Sequence, residues 1–362
     1  MTAGILDTGP MANLTPLPKI DGAHFRFARG PEDGSAFEAI HQARQEIDGV
    51  DPSDSYEMVG TAREFEEALA KQRESGTLCL RPVVEAGGEI VAYGKLEDWK
   101  EGDGTTVYLL QGWVHPKARG RGIGSALLSW LERESSAFAA RDHAGEPCEF
   151  AANASSTETN ASELLANAGY AAAYTVAELR LDPARYAEER PADAALPDGL
   201  AIGKPSRDEY RKLTETVVAA FAKEYEEGRF DEPVDPDEYE EELADDDRDP
   251  SLWRVVRRGD EIVAVALCDR RTEAMAEVVE LAVSPAWRRK GIARALMTET
   301  IDAAIASGCK DIRIYTIEQF QTRAIMLYRS LGFSRYKDFP RYRKPMPGSV
   351  RPATASMKAP EE

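Results

Sequence analysis

Residues that bind metals are scarce in this chain. Its 362 residues include four histidines and four cysteines. The cysteines, Cys79, Cys148, Cys268 and Cys309, are widely separated, with no C-x-x-C pair and no histidine at ligand spacing. A zinc knuckle or a disulfide framework is excluded, no metal is expected, and the thiols read as reduced and buried in a cytoplasmic protein. No apolar run approaches the roughly 18 residues of a membrane helix, so no membrane partner is expected. The opening stretch MTAGILDTGPMANLTPLPKIDGA lacks the basic start and long apolar core of a signal peptide. Residues 1–22 are expected to form a flexible leader. Positive charge is short as well: 45 Lys and Arg face 64 Asp and Glu, a net charge of −19. A clustered basic surface for nucleic-acid phosphates is excluded. Solubility, or a cationic small molecule, suits the balance.

What is present is a repeat. Hydrophobic periodicity and turn residues predict, in the first half, a strand over His24–Ala28 and helices over Gly34–Asp48 and Ala62–Glu74. Strands follow over Leu78–Val84, Glu89–Leu96 and Thr106–His115, then a helix over Gly122–Ala139, a strand over Pro147–Ala152, a helix over Ala161–Ala168 and a strand over Tyr174–Leu181. The same order restarts with a strand at Leu200–Gly203 and a helix over Asp208–Phe221. It continues with strands Leu252–Arg257, Glu261–Asp269 and Glu277–Val283, helix Gly291–Ser307, strand Asp311–Thr316, helix Thr322–Leu331 and strand Arg335–Tyr342. Local matches support the duplication. Glu89-Ile-Val-Ala recurs as Glu261-Ile-Val-Ala, Pro116 as Pro285, Gly122 as Gly291, and Ala168-Gly-Tyr170 as Leu331-Gly-Phe333. Two domains are expected, 23–182 and 199–347. Between them, the proline-containing, charged 183–198 reads as a linker, and 348–362 reads as a disordered tail.

The repeat carries one chemical motif twice. Arg119-Gly120-Arg121-Gly122-Ile123-Gly124 and Arg288-Arg289-Lys290-Gly291-Ile292-Ala293 each follow a strand and open a helix. Backbone N–H groups and the helix dipole converge there, which suits a diphosphate. The small residues Gly122, Gly124, Gly291 and Ala293 let the backbone approach it, and the Arg and Lys side chains add positive potential.

Both loops fit the pattern Q/R-x-x-G-x-G/A. With Leu327-Tyr328-Arg-Ser-Leu-Gly332-Phe333, the chain resembles the GNAT-type N-acetyltransferase superfamily over both repeats. Its layout is similar to that of the tandem mycothiol synthases and related bacterial acetyltransferases. The resemblance implies an α/β (α+β) fold of two tandem domains, each a mixed, mostly antiparallel sheet flanked by helices. It implies acetyl-CoA as cosubstrate, in a cleft where the fourth and fifth strands part, and a small-molecule amine as acceptor. A cysteinyl amino-sugar conjugate, as in mycothiol synthase, antibiotic-related amines and polyamines are the candidates. The strand ends Trp113-Val114 and Ala282-Val283 would bond the pantetheine amides.

Members of that superfamily often use a carboxylate on the fourth strand as base and a tyrosine on the last helix as acid. Glu280 interrupts an apolar strand and Tyr328 precedes Gly332 by four residues, so these two are the candidate catalytic pair, with Glu277 as a fallback base. Aligned on Pro116 and Pro285, the first repeat has Gln111 in place of Glu280. Aligned on Gly169 and Gly332, it has Leu165 in place of Tyr328. Neither transfers a proton. The second domain is therefore expected to be catalytic, and the first to bind acetyl-CoA or CoA without efficient turnover. Glu224–Asp249 holds 15 acidic residues against two Arg, beside Tyr225, Phe230 and Tyr239. It reads equally as a surface that concentrates an amine cation or as a solvated face. A CoA-binding or sensing module with little transferase activity is the competing class.

Overall fold

The computed structural model describes residues 14–57, 59–190, 195–226, 235–245, 248–318 and 324–350. Short-range signals set many element ends. Helix α1 (Gly34–Asp48) stops at Gly49, whose φ of 64° no β-carbon favours. Helix α2 (Ala62–Ser75) starts on a capping box between Thr61 and Glu64 and stops at left-handed Gly76. The strand expected from Leu78 begins only at Pro82. Leu80 N and Arg81 N bond back to Thr77 O and Leu78 O, so Leu78–Leu80 forms a tight 3-10 turn instead.

Two compact units result. Unit 1 takes the chain up to Tyr174 together with the stretch from Phe339, and unit 2 takes Thr175–Asp338. In unit 1 the strands β1 (His24–Phe27), β2 (Pro82–Ala86), β3 (Glu89–Lys100), β4 (Thr106–Val114) and β5 (Cys148–Asn153) lie in chain order. β12 (Ser334–Pro345) adds its later half beside β5. Among the described strands of unit 1, β4–β5 is the parallel pair. α1 and α2 bury Phe37, Ile40 and Leu69 on one face. α3 (Ile123–Asp142) packs Leu128, Trp130 and Leu131 on the other. α4 (Thr159–Asn167) leads into β6 (Ala171–Leu181).

Unit 2 repeats the plan with β7 (Ala201–Gly203), β8 (Arg254–Arg258), β9 (Glu261–Arg270), β10 (Met275–Val283) and β11 (Asp311–Ile317), in the order β6-β11-β10-β9-β8-β7. β10–β11 is its parallel pair. α6 (Tyr210–Glu226) and α7 (Pro236–Leu243) cover one face through Leu213, Val217 and Leu243. α8 (Ile292–Ala306) and α9 (Ala324–Ser330) cover the other through Met297, Ile301 and Tyr328.

The units exchange closing strands relative to the repeat. β6 ends the first repeat in sequence, yet pairs antiparallel with β11 from Val176/Ile317 to Leu181/Ile312. β12 ends the second repeat and pairs with β5. Side chains fit these partners. Leu179 and Leu181 join the core of Ile312 and Ile314, and fully buried Glu178 faces Arg313 at 3.8 Å. In unit 1, Phe339 stacks on Tyr56, and Lys344 bonds Glu132 at 2.8 Å.

Two stretches expected to be loose are ordered. Within the leader, Thr15 O accepts the Trp130 indole N–H at 3.2 Å, and Leu14 and Leu17 lie on the unit 1 core. Residues 1–13 lie outside the described residues. In the expected linker, α5 (Pro183–Glu189) starts from an Asp182 cap and buries Tyr186 in the unit 2 core. The tail from residue 351 is also outside the described residues, as are 191–194.

A chain cut at the repeat boundary, 199–347, loses β6. It removes Leu179 and Leu181 from the core of Ile312 and Ile314, a loss of about 2 kcal/mol each, and strips Arg313 of Glu178. Thermal melts should show 199–347 unfolded or far less stable than 171–347. Equal melting temperatures would contradict the exchange.

Candidate functional site

The site is built where parallel pairing stops. β4 and β5 are bonded from Thr106/Cys148 to Leu109/Ala151, and β10 and β11 from Met275/Asp311 to Val278/Ile314. Beyond those points β4 stays on β3 to Val114, and β10 stays on β9 to Val283. Residues 110–114 and 279–283 therefore carry strand pairing on one edge only. The other edge offers amide and carbonyl groups to an added extended chain. Trp113-Val114 and Ala282-Val283 lie on these stretches.

Each fourth strand then turns through a 3-10 turn, Pro116–Ala118 or Pro285–Trp287, into the cationic loop. The two loops have one backbone shape. Gly120 and Gly122 have φ of 73° and 78°, and Arg289 and Gly291 have 63° and 80°. Arg289 is the non-glycine residue with positive φ among the described residues, a conformation that costs about 1 kcal/mol for a residue with a β-carbon. The shape points the first N–H groups of α3 (Ile123, Gly124) and α8 (Ile292, Ala293), which lack intrahelical acceptors, at one place. At Gly124 a β-carbon would meet Leu164 Cδ2 at 3.3 Å, so the alanine that unit 2 carries at 293 would fit in unit 1 only if Leu164 yielded by a few tenths of an ångström.

The leading arginine of each loop is engaged within the fold. Arg119 donates from Nε to Val114 O at 3.2 Å and grips both oxygens of buried Asp48 at 2.7 and 2.5 Å. Arg288 donates from Nε to Val283 O at 3.1 Å and from Nη2 to Ala220 O. Both clip the strand end to the preceding helix, a role the sequence reading missed. The remaining cations, Arg121, Arg289 and Lys290, are exposed.

Unit 2 adds a bulge. The β9–β10 register slips between Val278 and Glu280, so Val279 is an extra residue. In a regular strand Glu277 and Glu280, three apart, would face opposite ways. Here Val278 and Leu281 pack on the α8/α9 side while Val279 and Ala282 pack on the α6/α7 side. Alternation from Leu281 puts Glu280 on Ala282's side, at the start of the opened stretch. Burial pushes the Glu280 carboxyl up to about 7, tempered by the Leu281 backbone N–H. Tyr328, buried on α9, meets Phe333 edge-on at 6.2 Å. Burial raises its phenol, and the Glu280 carboxylate raises it further. The two groups thus sense each other electrostatically, a carboxyl poised near neutrality and a phenol that retains its proton.

Glu277 is committed elsewhere: it is buried and accepts from Arg271 Nε at 2.9 Å. In the acidic segment, α7 packs Tyr239 on the unit 2 core, and Arg211 pairs with Asp237 and Glu240. The side chains of Glu224, Tyr225 and Phe230 lie outside what is described.

Unit 1 differs at each of these points. β3 and β4 pair without a slip, Gln111 stands opposite Lys95, and Leu165 is core. Bulk occupies the α1 side of its opened strand. Tyr93 stacks on Phe37 at 3.9 Å and meets Trp113 at 4.7 Å. Buried His41 contacts the Tyr93 hydroxyl at 2.6 Å, and its pKa is pulled down to about 3 by burial and by Arg44. Arg44 reaches Glu158, before α4, at 2.6 Å. The corresponding face of α6 carries Leu213, Val217 and Ala220.

The profile of the acetyltransferase (GNAT) family matches residues 38–147 and 214–333. A protein of Kineococcus radiotolerans named mycothiol acetyltransferase is 31% identical over 65% of this chain and 71% of its own length. Another of that name, from Thermobispora bispora, is 26% identical over 87% of this chain and 97% of its own. Among solved structures, a GCN5-related N-acetyltransferase from Sphaerobacter thermophilus has a TM-score of 0.68 at 22% identity, covering 93% of this chain and 99% of its own. A tandem GNAT protein from the clavulanic acid biosynthesis pathway has a TM-score of 0.60 at 13% identity, covering 90% and 98%. At these identities the structural likeness speaks to the fold.

The raised carboxyl makes a prediction about stability. Between its ordinary range near 4.5 and about 7, the folded chain holds the Glu280 proton more tightly than the unfolded chain. Stability therefore falls as pH rises through this window. The loss is on the order of 2–3 kcal/mol once the group is ionised. Glu280→Gln removes it, so the variant should melt a few degrees above the parent at pH 8 and level with it at pH 4.5. A shift of the same size at both pH values would count against a carboxyl raised by burial.

Proposed function

The chain belongs to the acetyltransferase (GNAT) family, and on that premise we propose that it transfers the acetyl group of acetyl-CoA to a primary amine of a small molecule in unit 2. It is an acyltransferase. The observation that carries the finer reading is the bulge-set Glu280 beside Tyr328 at the opened strand, with no counterpart in unit 1.

The chemistry asks for three things. The acceptor arrives as an ammonium ion and must lose a proton before its lone pair can attack the thioester carbon. Glu280, poised near neutral pH, takes that proton directly or through a water. Attack then places negative charge on the thioester oxygen, which backbone donors on the opened edge are suited to stabilise. When the carbon–sulfur bond breaks, the thiolate needs a proton. Tyr328 keeps its own in the ground state and supplies it. The products are the acetamide and free CoA: of the two protons the ammonium nitrogen loses, the first stays on Glu280 for solvent, and the second, shed as the tetrahedral intermediate collapses, restores the Tyr328 phenol.

Gln111 and Leu165 offer neither transfer in unit 1, while its loop keeps the converging amides. That supports a binding role for unit 1, for acetyl-CoA or CoA, without efficient turnover. The relatives' name puts the cysteinyl amino-sugar conjugate first in an acceptor panel, followed by antibiotic-related amines and polyamines.

With the best acceptor, kcat/KM should rise as pH increases through about 7 and then level, following Glu280 ionisation. Glu280→Gln and Tyr328→Phe should each lower kcat by about 100-fold or more, and the glutamine variant should lose the rise near 7. Parent-like rates in both variants would remove the catalytic assignment. Counting CoA bound per chain checks unit 1: two equivalents are expected, and one at saturating acetyl-CoA would leave its loop without a ligand.

A further inference from the structure

Two cations in unit 2 converge on one ring and have no acid between them. Lys290 Nζ lies 4.6 Å from the centroid of the Trp287 ring, and Arg258 Cζ lies 5.5 Å from the same centroid. Among the described residues neither makes an ion pair or a hydrogen bond. This is unusual in a chain with a net charge of −19. On and next to the strands around them three arginines are paired: Arg257 with Glu209, Arg254 with Glu299 and Arg271 with Glu277. Each cation lies within reach of the half-buried Trp287 ring, which attracts both in place of a carboxylate. Such an arrangement is built to receive a third, negative partner.

The repeat supplies an internal control. β8 slips on β9 after Val256, as β2 slips on β3 after Val84, and Arg258 opposite Glu261 matches Ala86 opposite Glu89. Trp287 ends its 3-10 turn where Ala118 ends the other, and Lys290 takes the place of Arg121. Unit 1 thus has alanine at two of the three positions. At the third, Arg121 donates to Gly22 O at 3.2 Å. The cation pair belongs to unit 2 alone.

Acetyl-CoA carries two kinds of phosphate, a diphosphate within the chain and a phosphomonoester on the ribose. The convergent amides at the start of α8 suit the first. We propose that Arg258 and Lys290, positioned by Trp287, form a subsite for the ribose 3′-phosphate of acetyl-CoA in unit 2. A phosphomonoester carries nearly two charges at neutral pH, which matches two cations, and unit 1 reads the diphosphate without this group. The inference rests on acetyl-CoA occupying unit 2.

The test is calorimetric titration of the full chain with CoA and with 3′-dephospho-CoA. Gly291→Val, which forces a β-carbon into a left-handed turn, identifies the unit 2 component as the one it removes. Gly291→Ala serves if the valine prevents folding. In the parent, that component should favour CoA over dephospho-CoA by about tenfold or more, the range of charge-assisted hydrogen bonds. Arg258→Ala with Lys290→Ala should bring the ratio close to one, through weaker CoA binding and unchanged dephospho-CoA binding. Trp287→Leu should lower it, and Trp287→Phe should restore part of it. A ratio that survives the double variant, or a parent that does not discriminate, overturns the subsite. If neither Gly291 variant removes a component, unit 2 does not hold CoA and the underlying reading fails instead.

Discussion

A parallel strand pair that stops bonding halfway along is the constraint around which each unit is arranged. β4 leaves β5 after Leu109, and β10 leaves β11 after Val278. Backbone groups inside a sheet are costly to leave without partners. The opening is tolerable only where a ligand or solvent satisfies them. Its position fixes the rest. The fourth strand must run on to reach the loop, the loop must start a helix, and the helix must present free amides at the end of the opened edge. Arg119 and Arg288 hold that corner by tying the strand's last carbonyl to the preceding helix. Their guanidinium groups set the geometry of the loop, while the exposed cations beside them carry positive potential.

The same scaffold has two endings, and the bulge separates them. One extra residue at Val279 turns Glu280 toward the α6/α7 side of unit 2, within electrostatic reach of Tyr328. A carboxylate there is unfavourable for folding, since burial raises it to about 7 with a backbone N–H as its compensating contact. Fold stability alone favours a neutral residue, which is what unit 1 has in Gln111. Unit 1 also fills the side from which an acceptor would come with Tyr93, Trp113 and His41, and bridges it by Arg44 to Glu158. The first copy carries a neutral, filled arrangement where the second carries a carboxyl raised by burial beside a buried phenol.

What the sequence made legible follows from the range of the interactions involved. α1 was readable from Gly34 to Asp48 because its apolar period and left-handed Gly49 are local. The loops were readable because glycine at positive φ leaves a mark. The exchange of β6 and β12 was not, because a strand's composition does not name its partner. Leu179 suits any apolar neighbour, and Glu178 reveals its place only beside Arg313. α5 could have been found, since Asp182-Pro183 is a helix-start signal, but the proline content of the stretch outweighed it. The docking of Thr15 on Trp130 had no local sign. The bulge left a faint one: two glutamates three apart in an apolar strand share a face only if a residue is inserted between them.

The loops carry the comparison between the units one step further. Both need a left-handed residue two places before the helix. Unit 1 uses Gly120, which adopts that φ freely, and unit 2 uses Arg289 at 63°. Glycine at 289 would relieve the strain of about 1 kcal/mol, less what glycine gives up in chain entropy. An arginine held there retains a cation whose side chain is exposed at the mouth of the loop. Beside it, Lys290 and Arg258 also go without acidic partners, in a chain where acids are plentiful. In unit 1 the corresponding corner keeps one cation, Arg121, bonded to Gly22 O, with Ala86 and Ala118 at the other two positions. Uncompensated positive charge and backbone strain coincide in one loop, the one that leads from the strand bearing Glu280. Selection for folding would have removed both, so an anion bound at that corner is the simplest physical reason for their coexistence.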